Sequence, residues 1–292
     1  MLYRLIRRGF LPCLTAALVL ACGPGRLFGQ TAEGADCERV LPPDLRSICE
    51  RGELRVVRYG GERPPFFFEE NDAWVGFDID LGRDMAERLG VAYREVKPAE
   101  SFDAVIERVV DGSADIGLSK LSSTLVRAQR VRFSDAYLTV YQALLVNRLS
   151  EPGGGDPFEA LSSGSFAIGA LAGTSYMGYA RESFGTAKVR PYTDFGQMMA
   201  DVVSGSLDAA LMDSARADRW RRENQQELIH VRTTIDRSRS DPLAIAVAWE
   251  GTHLLAWVNL YLDRIRSDGT AERLYQRWFA PATAVAVARE SE

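Results

Sequence analysis

The segment "LSKLSSTLVRAQRVRFSDAY", residues 118–137, places Lys120, Arg127, Arg130 and Arg132 within thirteen positions, directly after an apolar strand-like end. Basic side chains at this density either face water or are held toward an anion. A planar guanidinium donates two parallel hydrogen bonds to a carboxylate, which an ammonium cannot copy. Read from the residues alone, the arginines are solvated surface groups first, with an acid-binding role as the alternative. Other chemistry is thinly represented. The histidines, His230 and His253, stand apart from each other, and no Ser-His-acid set or metal-ligand spacing occurs. No catalytic residue, metal or cofactor is expected.

The formal net charge of −5, with no long basic tract, argues against a nucleic-acid partner. At 46% hydrophobic and 26% charged, the 292 residues have an ordinary globular composition, enough for one large or two modest domains. The N-terminus departs from this. Arg4, Arg7 and Arg8 precede the thirteen-residue apolar run "FLPCLTAALVLAC", and "GPGRLFGQTAEGA" follows. Basic, then apolar, then small and breaker-rich is the layout of an export signal, here 1–29, and the run is too short for a comfortable span. "VLAC", residues 19–22, also resembles a lipobox that would leave Cys22 lipidated, whereas Gly29 offers a competing cut; both stay open. In the exported chain Cys37 and Cys49 lie twelve apart with no His or third Cys beside them. An oxidising compartment favours a disulfide between them; the alternative is two unpaired thiols.

The elements that must position the basic cluster alternate between strand-like and helix-like. "ELRVVRYG", residues 53–60, alternates as a strand. "FDIDLGRDMAERLGV" puts Phe77, Leu81, Met85 and Leu89 on one helical stripe, with Gly90 as its stop. Such alternation implies an α/β fold with largely parallel strands. Residues 102–120, "FDAVIERVVDGSADIGLSK", and 195–213, "FGQMMADVVSGSLDAALMD", then repeat at an offset of 93. Phe102 answers to Phe195, Gly112 to Gly205, Asp115 to Asp208 and Lys120 to Asp213. The repeat favours two similar α/β lobes; the alternative is coincidence, since helix, turn and strand in this order are a common way to enter a parallel strand. Ligands of open α/β sheets bind beyond the carboxyl ends of the strands, here Ser119-Lys120 and Met212-Asp213. Two facing lobes would present Lys120 from one side and Asp213 from the other; the alternative is two solvated end-of-strand charges.

With these motifs in order, the chain resembles the bacterial extracellular solute-binding proteins that serve polar-amino-acid ABC transporters. The opening through "PPFFFEENDAWVGFDIDL", the central "SADIGLSKLSSTLVRAQRVRFSDAY", "IGALAGTSY", "SLDAALMD" and the closing "LLAWVNLYLDRIRSDGTAERLYQRWF" carry the resemblance. It implies a two-lobed, type II periplasmic-binding-protein fold with two crossover strands at the hinge, here "YQALLVNR" and "DPLAIAVAWE". Lobe 1 would be 50–145 plus 245–281 and lobe 2 146–244. Residues 30–49 would form an N-terminal segment and 282–292 a tail.

By the same resemblance Arg127 matches the carboxylate-binding arginine, and Ser122 a hydroxyl donor to that carboxylate. Gly173, Thr174 and Ser175 match the turn that reaches it from the other lobe, and Asp213 matches the acceptor of the ligand's ammonium. Arg130 and Arg132 match no ligand position. Arg63 stands where an aromatic is common, Phe102 keeps an apolar wall position, and Lys120, next to Ser119, replaces a small residue. Arg63, Lys120 and Arg127 against Asp213 favour an anionic or zwitterionic ligand, such as an acidic amino acid or a dicarboxylate. Direct pairing of Lys120 with Asp213 would instead leave no acid for an α-amino group. The implied protein is a periplasmic monomer, free or tethered through Cys22, that delivers its ligand to an ABC permease. Dehydratases on this fold, and binding proteins serving a sensor or a periplasmic dehydrogenase, are the alternatives.

Overall fold

A computed structural model describes residues 41–150, 156–162, 166–184 and 188–279. The export signal, Cys22, Cys37 and the tail 282–292 lie outside the described residues. Cys49 is disulfide-bonded. No helix among the described residues is long and apolar enough to cross a membrane.

The chain builds two sheets in turn. The first half runs α1 (Pro43–Arg51), β1 (Glu53–Val57), the hairpin β2 (Phe68–Glu70) and β3 (Ala73–Val75), α2 (Phe77–Leu89) and β4 (Ala92–Glu95). It continues through α3 (Phe102–Val110), β5 (Ile116–Gly117), the short α4 (Leu125–Ala128) and β6 (Arg132–Phe133). A long strand, β7 (Leu138–Asn147), enters the second half. There follow α5 (Pro157–Ser162), β8 (Ala167–Leu171), α6 (Ser175–Ser183), β9 (Lys188–Tyr192), α7 (Phe195–Ser204), β10 (Ala209–Asp213) and α8 (Ser214–Glu223). A 3-10 turn leads to β11 (Val231–Leu243), which returns to β12 (Ala246–Val247), α9 (Thr252–Ser267) and α10 (Thr270–Phe279) in the first half.

Strand order is β4-β1-β5-β12-β6 in one sheet and β11-β7-β10-β8-β9 in the other. β1 pairs in parallel with β4 and β5, and β8 with β9 and β10. The returning β12 and the crossing β7 are antiparallel to their neighbours. The expectation of largely parallel sheets is corrected to mixed ones, because a strand arriving from the other lobe enters at the carboxyl edge and must run back. The chain changes sheets between Phe133 and Leu138, and again between Leu243 and Ala246. The first crossing precedes the 145/146 boundary read from sequence, since β7 is paired from Leu138 onward inside the second sheet. The two crossings lie side by side: Ser134 N–H donates to Ile245 C=O at 2.9 Å and Tyr137 N–H to Leu243 C=O at 2.9 Å.

Each lobe has its own apolar core. Leu54, Val56, Leu81, Met85 and Ile116 pack with α9 in the first lobe. Leu144, Phe158, Ile168, Phe184 and Leu211 pack together in the second. The sequence repeat has a structural counterpart. Asp115 N–H donates to Arg55 C=O while its carboxylate takes Arg55 N–H at 2.8 Å. Asp208 does the same with Ala167, taking its N–H at 2.7 Å. Both acids thus lock the start of the neighbouring parallel strand, and the repeated strands β5 and β10 end facing one cleft.

Candidate functional site

At the end of β5 the backbone turns left-handed at Lys120, φ +49°. The turn is held from α2: the Asp78 carboxylate accepts Lys120 N–H at 2.6 Å and the Tyr137 hydroxyl at 3.1 Å. Asp78 is buried, and burial lifts its carboxyl to about 7 even though both donors oppose the rise. Pinned in this way, Lys120 reaches across the cleft and ion-pairs with Asp213 Oδ2. The other oxygen of Asp213 accepts Arg216 N–H at 2.9 Å, capping the start of α8. Burial works to raise the Asp213 carboxyl, but Lys120 and Arg216 outweigh it and hold it below the ordinary range.

Three arginines line the same space. Arg127, on α4, points back under the rim: Nη1 donates to Ser122 C=O at 3.3 Å, and Nε lies 3.6 Å from the exposed Asp103. Arg63 lies 4.5 Å above the Tyr59 ring and 5.6 Å from Phe102, with Nη1 donating to Glu62 C=O. Arg216 lies 4.5 Å over Phe195 and forms no side-chain hydrogen bond or ion pair among the described residues. Arg130 is exposed beside Glu107, and Arg132 bonds Thr252 on α9, so the crowded segment divides into one cleft arginine and two outward ones.

A polar relay closes the hinge side. Asp241 is buried on β11 and accepts from Ser122 Oγ at 3.0 Å, Tyr176 OH at 3.0 Å and Tyr179 OH at 3.3 Å. Burial raises the Asp241 carboxyl, with Ser122 and Tyr176 opposing. Ser175 Oγ stands 2.8 Å from Ser122 Oγ across the lobes. A hydroxyl has one hydrogen; with that of Ser122 on Asp241, Ser175 donates to Ser122.

Of the residues read from sequence, Arg63, Phe102, Lys120, Ser122, Arg127, Thr174, Ser175 and Asp213 line one cleft. Ser119 does not: it is fully buried, and its hydroxyl accepts Tyr59 N–H at 2.9 Å. Gly173 lies in the turn before Thr174, and its φ of +71° rather than a close approach calls for glycine, since an added Cβ would meet nothing within 4 Å. Thr174 donates to Leu171 C=O at 2.6 Å and so offers no hydroxyl hydrogen to the cleft. No side chain caps the N-terminus of α6, whose first N–H groups suit an anion. The space measures about 510 Å³ including its open mouth. Lys120 with Asp213, and Ser122 with Ser175, bridge it from lobe to lobe.

Residues 56–281 match the family described as bacterial extracellular solute-binding proteins, family 3. The chain belongs to that family. It is 27% identical over 235 residues to the lysine/arginine/ornithine-binding periplasmic protein of Escherichia coli (strain K12), covering 77% of this chain and 87% of that protein. It is also 27% identical over 250 residues to the membrane-bound lytic murein transglycosylase F of Pseudomonas syringae pv. tomato; this is 82% of the present chain, which spans only 47% of that relative's length. Among solved structures, the ancestral amino acid-binding protein AncCDT-1, a precursor of cyclohexadienyl dehydratase, is 32% identical with a TM-score of 0.68, over 80% of this chain and 98% of that one. The two-lobed type II architecture is shared with such family-3 proteins.

Within this solute-binding protein, sequence reading missed Arg216, Asp241, Tyr176 and Asp78. Arg216 sits in "SARADRWRRE", whose many charges read as a solvated helix face. Its signal was position: three residues after Asp213, it falls on the turn that Asp213 caps. Asp78 lies inside the quoted "GFDIDL", where helical periodicity gave it no role.

Proposed function

We propose that this solute-binding protein works outside the cytoplasmic membrane as a monomer. It captures a small carboxylate, a polar or acidic amino acid or a related acid, and presents it to an ABC permease. The observation that carries this is the arginine-lined cleft between matching strand ends, with Arg127 behind one lip and the uncapped start of α6 opposite. A charge-assisted hydrogen bond contributes on the order of 1.5–3 kcal/mol. Micromolar affinity needs about 8 kcal/mol, so Arg127, the α6 amides and the Phe102 wall must act together on one ligand. Catalysis fits less well. Asp213 holds a lysine and caps a helix, and Asp241 accepts three hydroxyls, so neither is free to move a proton to a substrate.

Titration calorimetry with L-glutamate, succinate and L-arginine tests the reading. Binding of an acid, with Arg127→Ala raising its Kd at least tenfold at unchanged melting temperature, supports it. An unchanged Kd removes Arg127 from the site. Tight arginine binding, the behaviour named for the Escherichia coli relative, discards the anionic ligand.

A further inference from the structure

We propose that the ligand carries two acid groups and no ammonium, because Lys120 occupies the place beside Asp213 that a ligand's ammonium would take. The inference rests on the reading of the cleft as a carboxylate site and narrows it to one chemical class.

Both carboxylates that line the cleft already hold a partner on each oxygen. Asp213 gives one oxygen to Lys120 Nζ and the other to Arg216 N–H. Asp241 gives one oxygen to Ser122 and Tyr176 and the other to Tyr179. With the lobes together, the left-handed turn that Asp78 holds at Lys120 aims this side chain at Asp213. An incoming ammonium would have to displace Lys120 and leave that charge buried without a partner.

Donors, in contrast, are spare. Arg63 holds only a neighbouring carbonyl, Arg127 a carbonyl and, at 3.6 Å, the exposed Asp103 carboxylate, and Arg216 no hydrogen-bonding side chain among the described residues. The lining side chains comprise four cations and two carboxylates, which leaves two positive charges in excess. Burial pushes the Arg216 guanidinium down to about 10; Asp213 opposes that, while Arg63 and Arg219 add repulsion. The spare donors are spread along the cleft. Arg127 and Arg63 both lie by the Phe102 ring, at 5.9 and 5.6 Å, and Arg216 is seated on Phe195. A ligand with two acid groups engages more than one of these guanidiniums and cancels the excess; a zwitterion cannot, and a basic amino acid adds to it.

Matched pairs isolate the ammonium: glutarate against L-glutamate, and succinate against L-aspartate, each by titration calorimetry on the mature protein. The expected result is a Kd at least tenfold lower for the acid without the amine. Lys120→Asn, a residue that tolerates the left-handed turn, frees Asp213 and should narrow or reverse that preference at least tenfold. Lys120→Gln, which keeps side-chain length without charge, serves if the first variant does not fold. An amino acid binding as tightly as its amine-free partner, or an unchanged ratio in the folded Lys120 variants, overturns the inference and leaves the carboxylate-site reading standing. Failure of all four acids to bind overturns both.

Discussion

Asp78 stands in the first turn of α2 with its carboxylate out of reach of solvent, yet what it accepts is the N–H of a residue 42 positions further on. Its folded pKa, about 7 against an ordinary 3.8, sets a testable sign. Between those values the folded protein binds more protons than the unfolded chain, so this group's contribution to stability falls as pH rises from about 4 to about 7 and is flat above. The size is on the order of 4 kcal/mol. Asp78→Asn keeps an acceptor for Lys120 N–H without a charge to bury. Urea melts should therefore show the variant gaining on the wild type as pH rises from 4 to 7.5. A difference independent of pH would mean that Asp78 is ionised throughout. At this scale legibility followed sequence context. Arg127 and Asp213 sit in quotable motifs, whereas Asp241 lies in "RSRSDPL", where only the fold reveals that β11 carries it between Ser122 and Tyr176.

At the scale of elements the sequence was most readable where one residue type answers one backbone need. α2 ends at Leu89 with Gly90 at φ +77°, as its stripe and stop imply. The offset of 93 recurs in space as the Asp115 and Asp208 locks, and the equivalent residues Lys120 and Asp213 meet directly. The start of α2 was less readable, because its requirement comes from another segment. Gly76 has φ +133°, and a Cβ there would lie 2.3 Å from the Phe66 carbonyl oxygen. That close approach lets Asp78 N–H donate to Phe66 C=O at 2.9 Å and brings the Asp78 carboxylate under Lys120. Gly76→Ala should cost about 2–4 kcal/mol, from backbone strain and the clash together. Gly173→Ala, strained in φ but facing empty space, should cost only about 1–2 kcal/mol. Chemical denaturation of both variants checks the ordering, and equal losses would remove the contact with Phe66 as the cause.

At the scale of the whole molecule, the lobes meet through side chains that line the cleft. Lys120 with Asp213, and Ser122 with Ser175, span the cleft without any ligand. Removing one partner of a buried ion pair ordinarily costs about 3–5 kcal/mol, because a charge is left dry and alone. Here the stranded charge has an escape that a core residue lacks, since opening at the adjacent crossings, 134–137 and 244–245, returns Lys120 to water without disturbing either core. Asp213→Asn isolates the effect, for asparagine caps a helix as well as aspartate does and α8 keeps its start. The loss should therefore appear as opening rather than unfolding. Small-angle X-ray scattering of the ligand-free variant should give a larger radius of gyration than the wild type, with far-UV circular dichroism unchanged. An unchanged radius with a lowered melting temperature would instead make the pair part of the fold's stability and not a latch. If the latch holds, the wild type closes by itself for part of the time. Its ligand then needs less differential affinity to shift the population to the closed form than a protein starting fully open.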